Sequence, residues 1–445
     1  MALSNRALQA AALVGLLVVC GAGVGWRGRG GPSARPTLVE AANDRVPYDP
    51  ELVSKTIAFW KKQAARDNQG ALERRELAGA YLARQRETGD IADAVLAEDA
   101  ARQSLQILRR NNSVAMIRLC RALIAQHRFP EALPLAKAVA AGDPQGNCLV
   151  ADVQIELGNN DEARAALDAT VPESDDLNYA AVRARLEQID GRPDASLRFL
   201  REAQRVVASR PDIPAEIAAW ADAMVGHSLV VTGKFDDAET SFQKALRVFP
   251  RDYRALTGMA EAAAWRGDWR ASADWGEKAV AVCPQNPEAL KLVGDARTAL
   301  GQDVEAARWY AQLDDLAHSF PRIYDRHWAL FLADKGRDLD EALALARADL
   351  ELRHDVHAHD TLAWVLFKKG RIADADAAMH KALARGTREA TLFYHAGMIA
   401  RAADDPARAK DYFSRARAIN PGSVPLRWLR WLDAQSSAAS RVNSP

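Results

Sequence analysis

Cysteine is scarce in this chain of 445 residues: Cys20, Cys120, Cys148 and Cys283 are the full complement. No two stand at CxxC spacing, which excludes a disulfide framework or a structural zinc site and leaves small buried hydrophobes. Alternating runs of Val, Ile and Thr are missing too, so no strand is predicted. Charge of either sign is not in excess: Lys plus Arg and Asp plus Glu each number 59. A net charge of zero provides no field to recruit nucleic acid or an anionic membrane, and no basic patch is interleaved with aromatics. Neither GxxxxGK[ST] nor a GxGxxG following a strand occurs, which removes the common phosphate-cradling loops and any cofactor they imply. What the chain has is Ala, with Leu, Arg, Asp and Glu, a helix-forming composition from end to end.

The N-terminus stands apart. "MALSNR" is short and basic, and Ala7 to Gly25 is apolar apart from one Gln, before Trp26, Arg27 and Arg29. Residues 1–26 are expected to be a signal peptide or a single membrane anchor. The small-residue stretch "CGAG" favours export, and the arginines after it favour retention on the cytoplasmic side. The expected location is the cell envelope, periplasmic, secreted or anchored. Residues 27–50 read as a Gly/Pro-rich linker.

A repeat dominates the remainder. Gly233, Gly267, Gly301, Gly336 and Gly370 recur at steps of 34 or 35, and Asp404 takes the next step. Five residues on comes a small residue, at Ala238, Ser272, Ala306, Ala375 and Ala409, with one insertion before Ala342. Four further on stands a large one, as in Phe242, Tyr310, Met379 and Phe413. The glycine lets the chain leave one helix in a left-handed conformation and begin the next. The small residue marks a close approach of two helices, and the large one fills the space beside it.

This pattern of small, large and turn residues at a period of 34 resembles the tetratricopeptide repeat family. The resemblance implies an all-α solenoid, a right-handed superhelix of about ten helix-turn-helix units. It is strong over 219–422 and weaker over 51–218, where Gly158, Gly191 and His127 mark the turns. A lead helix carrying Ile57, Phe59 and Trp60 opens the array, and the first unit after it is expected to have an enlarged loop between its helices. Residues 423–435 are expected to form a capping helix and 436–445 a disordered tail. The step of 42 from Gly191 to Gly233 implies a longer helix or loop, holding "ASRPDIPAEI", that interrupts the stack.

The family lines its concave surface with the first helix of each pair, at repeat positions two, five and nine. Carried over, these are Trp220, Ala223 and His227; Arg254, Thr257 and Glu261; Glu288, Lys291 and Asp295; Tyr324, His327 and Phe331; His357, Asp360 and Trp364; and Thr391, Tyr394 and Met398. The mixture of aromatics, both charges and histidine suits a groove for a protein partner or peptide segment. The Lys, Arg and Asn set with which some members clamp a C-terminal carboxylate is absent.

No catalytic residues are assigned, because the repeats leave no independent domain to aim a nucleophile and base. The stretch "LRHDVHAHDTLAW", Leu352 to Trp364, holds three of the nine histidines. On a helix, His357 and His359 diverge by about 200°, which disfavours a metal site. The register puts His354 in a turn, His357 and Asp360 toward the groove and His359 toward a neighbouring unit. His395 and Gly397 read as packing residues. The expected function is a scaffold that binds a partner segment and helps assemble an envelope complex. A non-catalytic accessory subunit of an envelope polysaccharide or protein-maturation system is the alternative, and a histidine-dependent metal carrier is a third.

Overall fold

The structure is a computed structural model that describes residues 48–170 and 176–423. Among these residues there are 21 α-helices and no strand. The expected leader or anchor, nearly all of the linker, the C-terminal cap beyond Ser423 and the tail lie outside the described residues. A lead helix, α1 (Leu52–Arg66), packs Ile57 and Trp60 onto the first unit. Ten helix pairs follow. The first five are α2 (Ala71–Thr88) with α3 (Ile91–Ile107), α4 (Ser113–Ala125) with α5 (Phe129–Gly142), α6 (Asn147–Leu157) with α7 (Asn160–Asp168), α8 (Leu177–Ile189) with α9 (Pro193–Ser209), and α10 (Ala215–Val231) with α11 (Phe235–Val248). The second five are α12 (Tyr253–Arg266) with α13 (Trp269–Val282), α14 (Pro287–Ala299) with α15 (Asp303–Ser319), α16 (Asp325–Lys335) with α17 (Leu339–Leu352), α18 (Val356–Lys368) with α19 (Ile372–Leu383), and α20 (Ala390–Ala402) with α21 (Pro406–Ile419).

The pairing has local causes. At the turn after α12, Gly267 takes φ 78°, and the Asp268 N–H returns to the Ala263 carbonyl at 3.0 Å, which closes the helix end. The Asp268 side chain then accepts from Ala271 N and opens α13. Where the turn glycine is missing, His127 and Asp404 adopt positive φ in its place. Inside the stack, Phe242 is fully buried because Gly226 and Gly258, on the first helices of its own and the next unit, leave no Cβ to collide with its ring. Gly397 makes the same room for Phe413. These small-against-large contacts let helices approach closely and account for the alanine-rich core.

One expectation changes. The first unit has no enlarged loop: "RQRET" continues α2 to Thr88, and the chain turns at Gly89 and Asp90. Gln and Arg are good helix formers and nothing in the stretch breaks the helix. The step of 42 is taken up by longer helices, one of the two readings that the sequence allowed: α9 and α10 have 17 residues each.

The array also coils back on itself. Units one to five lie against units six to ten along a seam, through contacts between residues 194 to 198 apart in sequence. Gln285 accepts from Ile91 N at 3.0 Å, His354 N donates to the Leu157 carbonyl at 3.0 Å, and Thr387 donates to the Ile189 carbonyl. Arg254 reaches the Arg86 carbonyl at 3.0 Å, and Arg86 pairs with Glu216 at 3.1 Å. The first helices face inward around the hollow this coil encloses.

Candidate functional site

The hollow carries a row of charged pairs. Along α6 and α8, Arg185 binds Asp152 at 2.5 Å and also Glu156. From the opposing coil, Arg353 approaches Glu156 at 3.8 Å and binds Asp349 at 2.7 Å, while Arg326 bridges Asp349 at 2.8 Å and Asp355 at 2.7 Å. Burial works to raise the Asp355 carboxyl, but Arg326 and His357 outweigh it and hold it at about 2. Desolvation, with help from Arg353 nearby, pulls the half-buried His127 down to about 4, so its ring is a neutral base at pH 7.

The next stretch of wall is of opposite character. Burial, then the neighbouring Glu288, pushes the Glu261 carboxyl up to about 8, and Trp265 Nε1 donates to it at 3.4 Å. Deeper along α14, Lys291 binds Asp295 at 2.8 Å and approaches Asp334 at 3.5 Å. Asp295 also accepts from Lys335 at 2.9 Å and from the Tyr310 hydroxyl at 2.7 Å, and these cations carry its carboxyl below the usual range against the opposing effect of burial. The wall therefore holds matched pairs at one place and crowded, unmatched carboxylates at another.

The residues expected to line the groove divide into two sets. Glu261, Lys291, Asp295, His327 and His357 lie on this wall; His327 and His357 are exposed, and His357 Nε2 is 3.8 Å from Glu389. Arg254 also faces inward, but it is committed to the seam. His227 is half-buried edge-on to Phe242 with ring centroids 5.0 Å apart, and burial lowers it to about 4. Tyr324, Met398, Asp360 and Trp364 are core residues. Trp220 packs beside Val206 and Val207, and Tyr394 is half-buried beside Trp364. The reason is angular: first helices pack edge to edge, so a side chain turned slightly from the hollow enters the next first helix. His354 lies in the turn before α18, and His359 faces Lys381 and the Gly158 turn across the seam. His395 and Gly397 are packing residues, as the register implied.

Sequence reasoning missed Arg121, Asp152, Glu156, Arg185, Arg326 and Arg353. The first four lie on first helices of the upstream units, and applying the same inward positions there would have exposed them. Arg326 stands on the first helix α16 at a position that the inward register skips, and Arg353 belongs to the seam, which the register does not encode. Among the described residues no group of three His, Cys, Asp or Glu side chains is placed to hold a metal.

The family profile described as tetratricopeptide repeat matches residues 224–287 and 361–424, and a second profile of the same description matches 124–186. Those stretches are tetratricopeptide repeats. Solved structures similar to this TPR chain include a thermophilic TPR protein of Thermus thermophilus, at 24% identity and TM-score 0.35, covering 42% of this chain and 99% of the other. Yeast Tom70 is 14% identical with TM-score 0.39, over 88% of this chain and 93% of its own. PilW, a type IV pilus biogenesis factor, is 18% identical with TM-score 0.30, over 45% and 92%. No curated protein matches the sequence.

Proposed function

We propose that this TPR protein is a non-catalytic scaffold that holds a segment of a partner protein in the hollow of its coil, and so helps assemble a complex at the cell envelope. The observation that supports this most is the crowding of Glu261 and Glu288 on the inner wall. A half-buried carboxylate beside another of like charge is costly to ionise, and such arrangements concentrate where a protein meets a ligand. The apolar leader at residues 1–26 supports the envelope assignment. No described helix is long and apolar enough to cross a membrane.

A crosslinked pull-down from membranes tests the reading. Glu261→Lys with Glu288→Lys reverses charge inside the hollow, while Glu305→Lys changes an exposed outer position on α15. Partners lost from the first variant and kept by the second support the proposal. The same partners recovered with both would sink it. A reporter fused after residue 50 determines which side of the membrane the repeats occupy, and an inactive periplasmic reporter would overturn the exported assignment.

A further inference from the structure

The turn glycines fall into two classes. A Cβ added at Gly158 would collide with the backbone of His354 and Asp355, one at Gly191 with the Gly386 carbonyl, and one at Gly233 with the Ile419 carbonyl. At Gly89 it would overlap Cys283 Sγ. Each of these turns is seated on the loop that follows the unit five places on, so the seam is one turn-on-loop contact made repeatedly. At Gly267, Gly301, Gly336 and Gly370 a Cβ would meet no described atom within 4 Å. All eight have positive φ, so helix termination alone does not separate them.

Gly301 differs from the other three of its class. Gly267, Gly336 and Gly370 are preceded by Arg266, Lys335 and Lys369, each tied to a carboxylate of its own chain. Before Gly301 stands Leu300, 38% exposed, and Val304 just inside the next helix is 66% exposed. Beside them Asp303 and Glu305 are exposed and have no ion-pair partner among the described residues. The loop between units one and two has the opposite charge. Leu108 opens it, 45% exposed, and Arg109 and Arg110 follow, exposed and likewise unpaired among the described residues. Leucine and valine on one surface match leucine on the other, and two carboxylates match two arginines.

Neither surface finds its counterpart in its own chain. By the five-unit step of the seam, the Gly301 turn of unit seven calls for a loop beyond the tenth unit, and the Leu108 loop calls for a turn before the first. We infer that the loop at 108–112 of one copy of this chain seats on the Gly301 turn of a second copy, joining copies head to tail. The contact continues the seam from one chain to the next. Because the two surfaces differ, each joined copy keeps one of them free, and the association is open-ended. Nothing in this depends on what the hollow holds, so it stands apart from the scaffold reading.

Crosslinking between two full-length copies with different tags tests this. Both carry Cys20→Ser, and Cys120, Cys148 and Cys283 are buried. One copy has Val304→Cys and the other Leu108→Cys. Oxidation after co-expression is expected to give the mixed disulfide dimer at least about tenfold in excess of either like pair, a ratio equivalent to about 1.4 kcal/mol. Lys244→Cys, exposed on the outer side of α11, should show no such preference for Leu108→Cys. Asp303→Lys with Glu305→Lys should remove the mixed dimer, and Arg109→Glu with Arg110→Glu on the other copy should restore it, which separates lost charge pairing from misfolding. Like pairs as abundant as the mixed one, a mixed dimer indifferent to charge reversal, or failure of the rescue would overturn the inference. So would absence of the mixed dimer, the result expected if the turn is covered by residues 424–445 of its own chain or by another protein.

Discussion

Asp360 and His395 form a buried pair that joins two successive first helices, α18 and α20. The imidazole Nδ1 lies 3.0 and 3.2 Å from the two carboxylate oxygens, and the Trp364 indole stacks on the ring with centroids 4.0 Å apart. A carboxylate only accepts, so Nδ1 carries the proton. Two residues that a sequence reading separates into groove and packing roles thus form one polar contact inside the core.

Breaking that contact has a predictable cost. Asp360→Ala leaves the ring N–H buried without a partner and is expected to lower stability by about 1–3 kcal/mol. Asp360→Asn keeps an acceptor and should lose less. Denaturant midpoints for the two variants provide the check, and equal midpoints would show that the hydrogen bond contributes nothing.

The two glycine classes predict unequal costs for the same substitution. Gly301→Ala has open space, so it should cost only the left-handed backbone penalty of about 1–2 kcal/mol. Gly233→Ala carries that penalty and must also push back the Ile419 carbonyl, so its loss should be clearly larger. Thermal unfolding of both variants decides, and matching losses would remove the steric case for the seam.

Glu261 gives a pH signature. Its carboxyl is near 4.5 when unfolded and about 8 in the fold, so between those values the folded chain keeps a proton that the unfolded chain releases. Its contribution is complete below 4.5 and is lost as pH rises through 8. Glu261→Gln is expected to gain at least about 1.4 kcal/mol at pH 9, the equivalent of one pKa unit, and little at pH 4. Urea titrations at the two pH values test this, and a gain that does not depend on pH would contradict it.

The histidines give the opposite slope. His127 and His227 are held at about 4, below the ordinary 6.5, so each favours the fold above 6.5 and that support is lost as pH falls toward 4. Their ring resonances should stay unchanged from pH 7 to 5. His318, raised by its bond to the Asp314 carbonyl, should titrate above 6.5. Titration of the first two rings near 6.5 would mean that solvent screens both of them fully.

The repeat was legible because its causes are local. Gly267 needs positive φ, Ala238 needs a close helix and Phe413 needs the gap beside Gly397, and each leaves its mark at a fixed spacing. The same register placed Glu261, Lys291 and His357 on the inner wall. It did not separate them from Tyr324, Asp360 and Trp364, because about 100° of rotation per residue divides hollow from neighbouring helix. The seam left no local mark at all. Gly158 and Gly301 look alike in sequence, and they differ only because small rotations accumulate over nearly six units before Gly158 meets His354.

The vacant turns at Gly267, Gly301, Gly336 and Gly370 give the molecule a direction. Each coil offers a row of bare glycine corners on one rim and a row of inter-unit loops on the other, and the first coil's corners are seated on the second coil's loops. A chain lengthened by further units at its C-terminal end would find four corners already shaped to receive it. Growth of such a coil by gene duplication requires no new interface, only another copy of the existing one.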